Sequence, residues 1–98
     1  MDLEPEYRDK VEAELKEWKA RLEQIRARAE QLEADARIEL KKQADVSQSS
    51  VDQLRERFEE LQEAGTEKAA RMRQAVDSVR DELNEQWREI KKEFEMGA

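Results

Sequence analysis

The sequence predicts an all-α fold, a long antiparallel helical hairpin of coiled-coil type, on three observations. Ala, Glu, Lys, Leu and Arg supply 58 of the 98 residues, above the roughly half that marks coiled coils and long helices. Apolar residues recur in steps of three and four along both halves of the chain, the spacing that lines one face of a helix. One Pro and two Gly are all that interrupt it. Leu, Ile, Val and Phe total only 18 residues, while 46% of the chain is charged. That composition alone would also suit a disordered chain; the regular stripe decides for helix.

The first helix is expected over residues 5–44. Pro5 suits a first helical turn, and Asp2, Glu4 and Glu6 favour the positive end of the helix dipole. Leu15, Trp18, Leu22, Ile25, Ala29, Leu32 and Ala36 alternate steps of three and four without a miss. Leu3, Tyr7 and Val11 prolong the stripe upstream and Leu40 downstream. A turn is expected at 45–50, because Asp45-Val46-Ser47-Gln48-Ser49-Ser50 is the one cluster of poor helix formers. Ser50 with Gln53 then reads as a capping box opening a second helix over 51–96. Its stripe runs Val51, Leu54, Phe58, Leu61, then Met72, Val76, Val79, Leu83, Trp87, Ile90 and Phe94. Residues 61, 72, 83 and 94 repeat every 11 positions, a period of about 3.67 residues per turn that gives a nearly straight seam. Gly65 and Lys68 are weak points in it, Lys68 being expected to snorkel outward. Lys91, Lys92 and Gly97 form the expected stop. Two alternatives stand beside this reading. A break at Gly65, with Thr66 capping a shorter last helix, gives a three-helix arrangement. An unbroken helix would instead carry the stripe through 45–50 by way of Ala44 and Ser47.

Folded about residues 47–48, the hairpin pairs apolar with apolar throughout. Tyr7 faces Trp87, Val11 faces Leu83, Leu22 lies by Met72, Leu32 meets Leu61 and Leu40 meets Leu54. A lone two-helix hairpin leaves most of each helix wet, so self-association is expected, with two hairpins forming a dimeric four-helix bundle.

The same residues bound the function. Without Cys or His there is no thiolate nucleophile, no sulfur-based metal site and no ordinary general base near neutral pH. A formal net charge of −7 argues against nucleic acid, since like charge repels phosphates. No apolar run approaches the ~18 residues of a membrane span, and the acidic opening does not read as a secretory signal; a cytoplasmic protein is the expectation. Acid-before-base pairs at i, i+4, such as Glu17–Arg21 and Glu33–Arg37, support exposed helix. Carboxylates three apart, such as Glu30 and Glu33, read as a solvated face rather than a metal site. Trp18 and Trp87 read as core. No catalytic, cofactor-binding or metal-ligating residue is therefore assigned, no cofactor is expected, and an enzyme is not expected. The residues that carry function are the seam itself: Tyr7, Val11, Leu15, Trp18, Leu22, Ile25, Leu32, Leu40, Leu54, Phe58, Leu61, Met72, Val76, Val79, Leu83, Trp87, Ile90 and Phe94.

The run from Tyr7 to Glu30, with Trp18, Leu22, Ile25 and Ala29 in register, resembles the opening of small bacterial coiled-coil domain-containing proteins. Ala34-Asp-Ala-Arg-Ile38-Glu-Leu40-Lys-Lys-Gln and the late Trp87 extend the resemblance over most of the chain. It implies a coiled-coil fold and no assigned activity. The 11-residue period is also similar to that of exchangeable apolipoprotein helices and of desiccation-protective helical proteins, though the stripe here is narrower. Three function classes follow. The first is a scaffold or interaction protein whose seam binds its own copies or a partner helix. The second is a protein that lays its stripe on a lipid surface, and the third is a helical stress protectant.

Overall fold

The structure, a computed structural model, describes residues 5–96, with side chains described as far as residue 92. Three helices, α1 (Pro5–Glu30), α2 (Ala34–Glu63) and α3 (Thr66–Met96), run up, down and up in a rod about 50 Å long and 16–19 Å across. The directions follow from cross-helix contacts. Arg26 meets Asp45 and Glu30 meets Lys41, so α1 and α2 are antiparallel. Tyr7 meets Asp77, Glu14 meets Arg80 and Trp18 meets Trp87, so α1 and α3 are parallel.

The expected hairpin fails at its turn. Residues 45–50 lie in the middle of α2, and the chain bends at 31–33 and 64–65 instead. The alternative break at Gly65 is present; the pairing of Tyr7 with Trp87 is not. Weak helix propensity at 45–50 amounts to a few tenths of a kcal/mol per residue, and tertiary contacts outweigh it. Ser47 and Ser50 are buried and both hydrogen-bond to Gln86 on α3. Three helices also give every helix two neighbours, which a two-helix hairpin cannot.

The turn at 31–33 carries no mark in the sequence because its geometry asks for none. The Gln31 and Leu32 amides donate to the carbonyls of Arg28 (3.0 Å) and Ala29 (3.1 Å), tightening the end of α1. Glu33 is extended, at φ −68° and ψ 163°, and heads α2 without a side-chain cap. No described residue has positive φ, so neither turn requires glycine. At the second turn the Gly65 carbonyl accepts from the Lys68 and Ala69 amides at 3.1 and 3.0 Å. Gly65 is thus the capping residue and Thr66 is already helical.

Each helix presents one unbroken seam of alternating three- and four-residue steps. On α1 it is Val11, Leu15, Trp18, Leu22, Ile25, Ala29 and Leu32, ending in the turn. On α2 it is Leu40, Ala44, Ser47, Val51, Leu54, Phe58 and Leu61, and on α3 it is Ala69, Met72, Val76, Val79, Leu83, Gln86 and Ile90. All are buried except Leu15, Leu32, Ala69, Met72 and Gln86, which are half-buried. Successive seams are joined by a step of eight (32 to 40, 61 to 69), a one-residue slip that re-aims the stripe at each turn. The 11-residue row is therefore not a single seam: Leu61 belongs to α2, whereas Met72 and Leu83 belong to α3. Ala36 and Lys68 both lie on exposed faces. Pro5 does open α1, while Leu3, the acids before it and Gly97 lie outside the described residues.

Gly65→Ser should stabilise the bundle. Nothing lies within 4 Å of a Cβ added at Gly65, its φ is not positive, and serine both caps better and restricts the unfolded chain. The expected gain is about 0.5–1 kcal/mol, read as a Tm higher by a few degrees in thermal melts; an unchanged or lower Tm contradicts the capping assignment.

Candidate functional site

The three helix pairs are built differently. Among the described residues no Cα of α1 comes within 8 Å of a Cα of α3, whereas α2 packs closely on both. Small residues explain the close pairs: Ala29 on α1 and Ala44, Ser47 and Ser50 on α2 let the backbones approach. The wider α1–α3 gap is bridged by large side chains. Trp18 and Trp87 meet edge to face with ring centroids 5.9 Å apart, the arrangement aromatic quadrupoles favour. Arg21 lies over both rings, 5.3 Å from that of Trp18 and 4.5 Å from that of Trp87, and is also paired with Glu17 one turn back.

One end of this gap holds a charged clamp. Arg80 grips Glu14 with two bonds, Nε to Oε1 at 2.9 Å and Nη2 to Oε2 at 2.6 Å, and reaches Asp77 through Nη1 at 2.9 Å. The Tyr7 hydroxyl donates to the same Asp77 oxygen at 2.7 Å. Arg73 covers the Tyr7 ring at 4.1 Å and Arg80 stands at 5.6 Å, both within cation–π reach. Burial, then the bond to Asp77, pushes the Tyr7 hydroxyl up to about 12, because an acceptor carboxylate favours the neutral phenol. Hydrogen bonding to Glu14 holds the Arg80 guanidinium more firmly protonated than usual. Bidentate, part-buried pairs of this kind are stronger than exposed ones. On the α1–α2 edge, by contrast, Glu30 is exposed, and its hydrogen bond with Lys41 holds the carboxyl below its ordinary range.

A polar layer interrupts the α2–α3 seam. Ser47 donates to the Gln86 carbonyl oxygen at 2.8 Å, and the Gln86 amide donates to Ser50 at 3.0 Å. A slip of one heptad would set Gln86 beside Leu40 and Gln43 or beside Leu54 and Arg57, away from both hydroxyls. Each bond to the half-buried Gln86 amide contributes about 1 kcal/mol, so this layer favours the observed register of α3 on α2.

Outside the core, Ile38 and Val46 stand more than half exposed, at 54% and 57%, on the outer side of α2. Val46 borders a groove of about 250 Å³ between α2 and α3, lined also by Lys42, Gln43, Gln86 and Ile90. The buried Gln43 Oε1 has no hydrogen-bond partner.

Most residues of the expected seam come together in one core. Tyr7, Val11, Trp18, Leu22, Ile25, Leu40, Leu54, Phe58, Leu61, Val76, Val79, Leu83 and Ile90 are buried, and Leu15, Leu32, Met72 and Trp87 pack against them. The side chain of Phe94 lies outside the described residues. Sequence reasoning missed Ser50 and Gln86, as well as the clamp residues Glu14, Asp77 and Arg80. Once Ala and Ser count as seam residues, Ala44 and Ser47 let α2 alternate without fault from Leu40 to Leu61, but no local signal points to the Ser50–Gln86 contact. No helix among the described residues is long and apolar enough to cross a membrane, and no group of three or more carboxylates among them converges on a metal position. Compared with known proteins, the chain matches no family model, no curated protein and no solved structure.

The clamp predicts an alkaline transition. The Tyr7 phenol ionises near 10 in the unfolded chain and at about 12 in the bundle. Its contribution is therefore complete below pH 10 and lost as pH rises through about 12. Urea unfolding between pH 9 and pH 12 should show wild type losing up to about 2 kcal/mol more than Tyr7→Phe across that window. Parallel losses in the two proteins would contradict the assignment.

Proposed function

We propose that this chain is a non-enzymatic coiled-coil protein that acts by packing against helices, those of its own copies or of a partner protein, with a homodimer as the expected self-assembly. The observation that best supports this reading is the outer stripe of α2. Ile38 and Val46 sit eight residues apart on one helix face, with Lys42 between them and an apolar-floored groove beside them. A partner helix laid in the groove would bury Val46 and, continuing along α2, cover Ile38, and its polar groups would meet Glu39, Lys42 and Glu89 at the rim. This is helix-in-groove recognition, in which apolar anchors supply affinity and flanking charges supply specificity. Lipid binding has weaker support, because the long seams are turned inward and would have to open to reach a bilayer.

Sedimentation equilibrium and vesicle flotation test the reading together. Association that strengthens with concentration, and weakens at least about tenfold in Kd in the double variant Ile38→Asp, Val46→Asp, is the expected result. Helicity should not change, since both side chains are exposed. Migration with zwitterionic vesicles, without self-association or capture of any amphipathic helix, would overturn it in favour of the lipid surface.

A further inference from the structure

The turn joining α1 to α2 is made of residues that would rather be helical. Gln31, Leu32, Glu33 and Ala34 are good helix formers, no described residue has positive φ, and α2 begins without a side-chain cap. Arg37 ties the turn down by donating from Nη2 to the Leu32 carbonyl at 3.1 Å. The Nε of the same side chain, however, is buried without a partner, a cost that native structures ordinarily avoid. The apolar line also continues through the bend. Ala29, Leu32, Ala36, Leu40 and Ala44 follow steps of three, four, four and four, a one-residue slip spread over three turns that a continuous helix absorbs by local unwinding. In the bent chain Ala36 is exposed and Leu32 only half-buried, so the bend leaves unused a stretch of seam that a straight helix would use. The other turn lacks these properties. Gly65 costs about 1 kcal/mol in a helix interior, and Gly65 and Lys68 leave no apolar line across it.

We infer that residues 31–33 can straighten, joining α1 and α2 into one helix, and that two copies of this chain then exchange α1. Each α1 would lie along the α2 of the other copy and beside its α3. The register permits this without adjustment. Arg26 with Asp45 and Glu30 with Lys41 both pair at residue numbers summing to 71. Two straight antiparallel helices related by a twofold axis near residues 35–36 keep the same sum. The contacts of Trp18 with Trp87, Glu14 with Arg80 and Tyr7 with Asp77 then form between chains instead of within one. Exchange of an identical element costs only what changes at the hinge. The arm is α1 because the turn at 31–33 is the one suited to straighten; like α3, α1 packs its backbone closely on α2 alone. The inference goes beyond the outer-face reading: here the partner is a second copy seated through the core, and the outer stripe of α2 stays available to a further helix.

Two manipulations test it. The chain has no cysteine, so Arg26→Cys with Asp45→Cys places a single thiol pair across the α1–α2 edge. The dimer fraction, isolated after refolding at high protein concentration and joined by a short bismaleimide, should run as a covalent dimer on a denaturing gel. Ala34→Pro supplies the second arm. Residue 34 is the first of α2, exposed, and follows the extended Glu33, all of which suit proline. In a joined helix the proline ring would clash with the Glu30 carbonyl. The dimer fraction should fall more than about tenfold, while the monomer keeps its helicity and Tm. Crosslinks confined to single chains overturn the exchange. So does a dimer indifferent to Ala34→Pro but abolished by Ile38→Asp with Val46→Asp, and that result leaves association through the outer face standing. A chain that stays monomeric after such refolding overturns both exchange and self-association.

Discussion

The bundle depends on α2, which alone packs closely against two neighbours. Its seam runs from Leu40 to Leu61 and is narrowest at Ala44, Ser47 and Ser50, where side-chain volume is least. That narrowness brings α3 near enough for Gln86 to reach both serines. Close approach is also what turns a weak helical segment into a stable one. The hydroxyls that would favour a turn in an isolated peptide are here bonded across the interface, and the competition with the helix backbone is removed. Everything at the periphery, from the turn positions to the spacing of α1 and α3, is set by how those two helices sit on α2.

The consequence is a division of labour between interfaces. Small residues and one amide make the α2 contacts specific in register. Aromatic and charged residues span the α1–α3 gap, where no backbone comes close enough for small residues to help. The Arg80 clamp and the Trp18–Arg21–Trp87 stack are therefore more than surface decoration: they are what α1 and α3 have in common. Exposed pairs such as Arg88 with Glu85 and Lys92 with Glu89 add little by comparison, because water screens them and fixing two long side chains costs entropy. Tyr7, buried yet tied to Asp77, ionises only at about 12, so the clamp carries a titration within the bundle.

An all-helical rod whose long seams are consumed internally has two kinds of surface left for association. One is the outer side of α2, where Ile38 and Val46 stand exposed. The other is the core itself, reached by exchanging a helix for the same helix of another copy. The two differ in where the partner sits, and both draw on the same principle, the burial of apolar side chains at helical spacing.

How much of this was legible in the residues depends on the range of the physics. Helix content, the helical start at Pro5 and the break at Gly65 are local properties, written in composition and periodicity. Nearly all the buried side chains, from Tyr7 to Ile90, were legible for the same reason. Ser47 and Ser50 read as turn residues, since nothing within a few positions of them reveals Gln86, which lies 36 and 39 residues further on. The bend at Gln31-Leu32-Glu33 was hidden because extended backbone at negative φ needs no special residue, and its only trace is the one-residue slip between the seams ending at Leu32 and starting at Leu40. The sequence by itself determined that the chain is helical and which side chains line its apolar stripe, but it divided that stripe between two helices instead of three. The tertiary structure decided where the chain bends and that α1 lies parallel to α3, because burying three stripes at once gives each helix two neighbours, a gain that local propensity does not contain.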